Sequence, residues 1–150
     1  MARPHVLLVS KISLPETLTI IQAGAFGGLK GLKSIKLPNG VESLKAYLFY
    51  GCTQLKKITL PKNLAAWDSM AIVDCPKLQE LSLPAENHIF SINDGCVIVK
   101  KDQTLICACF RAKTLKIPNG VKVIRKYALS NALSNTVNIP ASVICTEGFL

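Results

Sequence analysis

The chain of 150 residues is 49% hydrophobic but only 6% aromatic, and its 18 Lys and Arg against 9 Asp and Glu leave a formal net charge of +9. A chain of that length buries a core as one domain, residues 1–150, with aliphatic side chains building it. No apolar run approaches the roughly 20 residues of a membrane span. Val6 to Val9 is shorter than the about 7 to 15 residues of a signal peptide's apolar segment, so the chain as written is expected to carry no export signal.

Along the chain, an apolar residue, any residue, an apolar residue and then proline recur six times. These are "ISLP" from Ile12, "IKLP" from Ile35, "ITLP" from Ile58, "LSLP" from Leu81, "LKIP" from Leu115 and "VNIP" from Val137. Subtracting those numbers gives spacings of 23, 23, 23, 34 and 22. Six of the eight prolines therefore share one column, and a period of about 20 to 50 residues is the mark of a solenoid. Units are expected to start near residues 12, 35, 58, 81, 115 and 137, the last incomplete.

Each unit opens with a short strand. In "LKSIKLP", "LKKITLP" and "LQELSLP" the pairs Ile35/Leu37, Ile58/Leu60 and Leu81/Leu83 lie two residues apart and point to one face, with the residues between them facing away. Proline stops the strand because it cannot donate the next ladder hydrogen bond. Asn39-Gly40 and Asn119-Gly120 then supply residues suited to a turn. A second apolar pair follows (Leu18/Ile21, Val41/Leu44, Leu64/Trp67, Val121/Ile124), and after it a further apolar pair such as Ala25-Phe26 or Leu48-Phe49. A second extended stretch and a short helical or 3₁₀ turn are the expected result, each coil burying its columns only against its neighbours.

The 34-residue spacing holds "FSINDGCVIVKKDQTLICACF", Phe90 to Phe110, where Asp94-Gly95 between alternating apolar residues is a hairpin signal and Lys101-Asp102-Gln103 marks a second turn. With that segment and "LPNGVESLKAYLFYGCTQLKKITLP", the chain resembles the BspA-like leucine-rich repeats, whose unit is 23 residues long, over residues 9 to 150. The resemblance implies a right-handed leucine-rich repeat solenoid, α/β or mostly β, with parallel strands, short helical or 3₁₀ turns and one β-hairpin insertion near residues 86–113. Departures are visible. Trp67 stands where an aliphatic is expected and Ile72 where an aromatic is; the fifth unit lacks a residue near Leu133-Ser134, and the sixth has lost residues before Gly148-Phe149. No polar cap closes the array, which predicts a fragment of a longer protein or an end covered by a partner.

Cysteine and histidine are the residues here with the most chemistry to offer. Cys52 and Cys75 share a column in adjacent units, which leaves a disulfide open on distance, but buried thiols filling a small slot are the favoured reading. Cys107, Cys109 and Cys96 fall on the insertion without a CxxC pair, and neither His5 nor His88 has ligand spacing, so no metal is expected. No Ser-His-Asp set is evident, and "GAFGGLKGL" lacks the Lys-Ser/Thr of a phosphate loop. Its glycines are expected to serve tight packing. Neither catalysis nor a cofactor is expected.

The remaining signal is lysine. Lys11, Lys36, Lys57 and Lys116 fall on outward strand positions, and Lys33, Lys56 and Lys113 flank the same strands, so a basic stripe is expected along the sheet, interrupted by Gln79 and Glu80. A solvated face is the plain alternative. Three functions follow. The first is a protein-binding module, which the resemblance links to surface or secreted proteins adhering to host or matrix proteins. The second is polyanion binding, weakened by few arginines and few exposed aromatics. The third is a structural spacer.

Overall fold

The computed structural model describes residues 8–109 and 113–148; His5, Phe110 and Phe149 lie outside them. The described residues form twelve short strands and no helix. In the second and third units these are β1 (Ser34–Lys36), β2 (Ser43–Leu44), β3 (Lys57–Thr59) and β4 (Ala66–Trp67). The fourth contributes β5 (Glu80–Ser82) and the inserted β6 (Phe90–Asn93), β7 (Cys96–Val99) and β8 (Thr104–Ala108). The last two hold β9 (Thr114–Lys116), β10 (Val123–Ile124), β11 (Thr136–Asn138) and β12 (Cys145–Thr146).

The ladders run from coil to coil in the register of the repeat. Ile35, Ile58 and Leu81 are partners across the parallel sheet β1-β3-β5, which an isolated bridge from Lys11 to Ser34 extends. β2 pairs with β4, and β9 with β11. Each column proline does more than end its strand. The carbonyls of Pro15, Pro38, Pro61, Pro84, Pro118 and Pro140 each accept a hydrogen bond from the amide three residues on, at 3.0 to 3.4 Å, closing the corner. The apolar columns behind these corners, Leu32/Leu55/Leu78 among them, are fully buried.

On the turn side the expected helical or 3₁₀ segment does not form, and the reason is in the backbone. Tyr47, Phe49 and Gly51 donate to Met70, Ala71 and Val73 of the next coil, while Leu48, Tyr50 and Cys52 donate to the residue three back. Alternate amides thus serve the neighbouring coil, whereas a helix needs every amide for its own turn. Left-handed residues enforce the alternation: Tyr47 and Gly51 (φ 58° and 68°) repeat Gly24 and Gly28 (70° and 74°) of the coil before. A side chain at Gly24 or Gly28 would meet open space, so conformation and not packing selects glycine there; at Gly31 a Cβ would lie 3.0 Å from the Val9 carbonyl, the tight packing expected of this segment.

The insertion is a three-stranded antiparallel meander, β6-β7-β8. Asp94 and Gly95 both have positive φ (48° and 73°), the backbone of a two-residue hairpin turn. β8 returns into line, pairing in parallel with β10, which pairs with β12, to give the five-stranded order β12-β10-β8-β7-β6.

Two buried asparagines join the meander to the coils. Asn87 follows Val41 and Leu64 in a column that is otherwise apolar; its Nδ2 donates to the Lys62 and Leu64 carbonyls at 2.9 and 2.8 Å, and its Oδ1 accepts from the Ile89 and Phe90 amides at 3.0 and 2.8 Å. That uses all of its hydrogen-bonding capacity. Asn131 donates to the Ile72 carbonyl at 2.6 Å and accepts from the Cys75 amide at 3.0 Å, so the fifth unit's turn is tied directly to the third's. Trp67 is explained here as well. Its ring meets Phe90, the next residue of its column, edge-on at 6.1 Å where the second ladder gives way to the meander.

Candidate functional site

Outward positions of the first sheet build the site. The partner columns read Lys11, Ser34, Lys57, Glu80 on one side of the buried Ile35 column and Lys36, Thr59, Ser82 on the other. Lys33 and Lys56 flank them; the Lys33 carbonyl accepts the Lys56 amide at 2.9 Å, and both side chains are exposed. The face is not uniformly basic. Lys57 Nζ lies 2.7 Å from Glu80 Oε1, and Lys36 Nζ lies 3.6 Å from Glu16 Oε1, all four side chains being about half exposed or more. Ser82 Oγ donates to Thr59 Oγ1 at 3.4 Å. A recess of ≈ 330 Å³ opens among Lys11, Glu16, Ser34, Lys36, Lys57 and Thr59.

The stripe expected from the lysine spacing is divided. Lys116 belongs to the separate two-stranded sheet of β9 and β11, Lys113 directly precedes β9, and Lys116 lines a different recess with Asp94 and Asn138. Glu16, Ser34 and Thr59 were not among the sequence-derived residues. Ser34 and Thr59 could have been found by filling the columns of the 23-residue period. Glu16 could not, because it reaches Lys36 from the corner of the preceding coil.

Cysteine serves the core. Cys52 Sγ donates to the Phe26 carbonyl at 3.0 Å and Cys75 Sγ to the Phe49 carbonyl at 3.1 Å, one step of a thiol ladder between coils. Both thiols are free and buried, as are Cys96, Cys107 and Cys109; Cys145 is exposed. Burial pushes the Cys75 and Cys96 thiols up to about 12 and Cys109 to about 11, and holds Cys107 well above its ordinary value. Among the described residues no three His, Cys, Asp or Glu side chains converge as metal ligands would. His88 is exposed beside Glu42 and Glu86 on a recess of ≈ 550 Å³.

Exposed aromatics are more prominent than the sequence suggests. Tyr47 and Tyr50, each 48% exposed, meet edge to face at 5.9 Å on the turn side, away from the lysine face.

With the coils and their columns in view, the comparisons are specific. The family model described as BspA type leucine rich repeat region (6 copies) matches residues 6–100 and 97–149. The chain belongs to that family. A leucine-rich repeat protein from Eubacterium ventriosum has a similar solved structure, with a TM-score of 0.74 and 17% identity over 91% of this chain and 43% of that one. A leucine rich cell surface protein from Faecalibacterium prausnitzii aligns with a TM-score of 0.60 and 21% identity over 82% of this chain and 39% of its own. The BspA-type chain thus spans less than half the length of these solved structures. At such identities the likeness is one of fold. No curated protein matches the chain. No helix among the described residues is long and apolar enough to cross a membrane.

Proposed function

We propose that this BspA-type chain is a non-catalytic protein-binding module of a cell-surface or secreted protein that adheres to a host or matrix protein through the outward face of β1, β3 and β5. The observation that carries the reading is the recess on that face, where lysine, hydroxyl and carboxylate groups alternate at coil spacing. A rigid parallel sheet presents such a row in one plane, and alternating donors and acceptors suit a polypeptide surface. The ion pairs to Glu16 and Glu80 reduce the positive field that a nucleic acid or sulfated glycan would need, so polyanion binding is the weaker alternative. A spacer role in a longer array would leave the face unused.

The test is binding to immobilised extracellular-matrix proteins, heparin and DNA across a salt series. The expected result is matrix-protein binding that persists at physiological salt, is lost in a Lys36→Glu, Lys57→Glu variant and is unchanged in Lys116→Glu, which lies on the other sheet. Binding to heparin or DNA alone, falling steeply with salt, would replace the reading with a counterion-release interaction. No binding to any of them would favour the spacer.

A further inference from the structure

Apart from the lysine face, the turn side of the second coil carries a corner of two open rings. Tyr47 and Tyr50 are each 48% exposed, and their planes meet at 89° with centroids 5.9 Å apart. One period earlier the matching positions are Gly24 and Gly27, and one period later they are the partly buried Met70 and Val73. The coil before therefore presents no side chain at the level of either ring. Tyr47 also holds a left-handed backbone (φ 58°) that Gly24 adopts freely and that a side chain strains. Half exposed, its ring is not placed there to fill the core. We infer that this corner binds a lysine or arginine side chain from a basic segment of a partner polypeptide.

The molecule contains the same contact once within itself. Subtracting the starts of their units, 35 and 115, puts Tyr47 and Tyr127 both at position 12. Tyr127 shares the left-handed backbone (φ 65°), and the residue before it, Lys126, holds its Nζ 5.0 Å from the ring centroid. In the second coil the residue before the tyrosine is Ala46, and Lys45 is drawn off to Gln22, Nζ to Oε1 3.4 Å. Among the described residues no cation covers Tyr47 or Tyr50. The fifth coil has Ser130 where the second has Tyr50, so one site has a single ring with its own cation and the other has two rings and none. Ring faces attract an ammonium or a guanidinium. Asp74 adds charge of the right sign. Its Oδ2 lies 3.9 Å from where a Cβ on Gly51, the residue after Tyr50, would stand, and it makes no ion pair among the described residues. Met70 and Val73 give the methylene stem of a long cationic side chain an apolar surface to lie along, which a small free cation would not use.

The test is NMR of the full chain with labelled tyrosine rings, titrated with the acetylated methylamides of lysine, of arginine and of uncharged norleucine, and with choline. Tyr47 and Tyr50 signals are expected to shift and saturate with the two cationic side chains, about tenfold more tightly than with norleucine, while the covered Tyr127 does not move. Tyr47→Gly keeps the left-handed backbone, as Gly24 does, and is expected to abolish the response of Tyr50. Ala46→Lys is expected to abolish binding by covering Tyr47 as Lys126 covers Tyr127, and Asp74→Asn to weaken it about threefold. Unchanged signals away from the corner confirm that each variant is folded. The inference is overturned by equal shifts with norleucine, by no shift with either cationic side chain, or by binding that survives in Ala46→Lys. Tighter binding of choline than of lysine or arginine would also overturn it, making the ligand a quaternary ammonium instead of a polypeptide side chain.

Discussion

The first three coils and the segment from Asn87 onward solve the same problem by different means. Along the turn side of the first two coils, the Gly24, Phe26, Gly28, Tyr47, Phe49 and Gly51 amides donate to carbonyls 22 or 23 residues on, so there the repeat supplies its own partners and the side chains fill columns. From Asn87 the meander breaks that equivalence, and two side-chain amides replace what a neighbouring coil would have provided. Repetition makes apolar residues sufficient for stability; where it lapses, buried polar residues become indispensable.

That contrast predicts which substitutions hurt most. Asn87→Val restores the apolar column yet strips partners from two carbonyls and two amides. Urea denaturation is expected to show a loss of about 4 kcal/mol, larger than a core cavity, and a loss below about 1 kcal/mol would mean the junction does not depend on the amide. Next is Leu55→Ala, a fully buried column residue of the regular coils, expected to cost about 3 kcal/mol. Amide exchange should report that the damage from Leu55→Ala is shared among neighbouring coils while that from Asn87→Val is concentrated in β6 to β8.

Alkaline titration separates the regions by a smaller effect. The buried thiols bind protons more tightly folded than unfolded, so between the ordinary thiol value of about 9 and the folded values of about 11 to 12 the unfolded chain loses protons that the folded chain retains. Their contribution is complete below pH 9 and is lost as pH rises through that window. Melting temperature is expected to fall there, and a Cys96→Ala, Cys109→Ala variant, altered in the meander region, should fall less steeply. The smallest effect is a gain. The residue missing from the fifth unit places Ser134, not Leu133, three positions before Val137, where the strands of the second to fourth units are preceded by Leu32, Leu55 and Leu78. Leu133 is 52% exposed and Ser134 Oγ is buried without a partner among the described residues. Ser134→Ala is expected to raise stability by about 1 kcal/mol; a loss would show that Oγ is satisfied in solution.

Much of the architecture was legible before any coordinates. Strand positions, corners, the hairpin signals at Asp94-Gly95 and Lys101-Asp102-Gln103 and the family itself follow from one repeated phrase, because register in a solenoid is set by the period. The turn side was misread as helical, since Ala25-Phe26 and Leu48-Phe49 have helix-compatible composition and only the left-handed Tyr47 and Gly51 reveal that alternate amides serve the next coil. The lysine face was legible in outline, with Lys11, Lys36 and Lys57 on outward positions. Its division was not, because whether β5 and β9 share a sheet depends on how the meander returns.

Alone, the sequence determined which residues are inside, since periodic apolar positions have only one way to stack and hide. Tertiary structure decided the rest: that Asn87 and Asn131 close the break in the array, that Glu16 pairs with Lys36, and that Lys116 lies in a sheet separate from that of Lys36 and Lys57. The Asn131–Ile72 and Lys36–Glu16 contacts join residues 59 and 20 apart, separations that are not the period and that no one-dimensional pattern records.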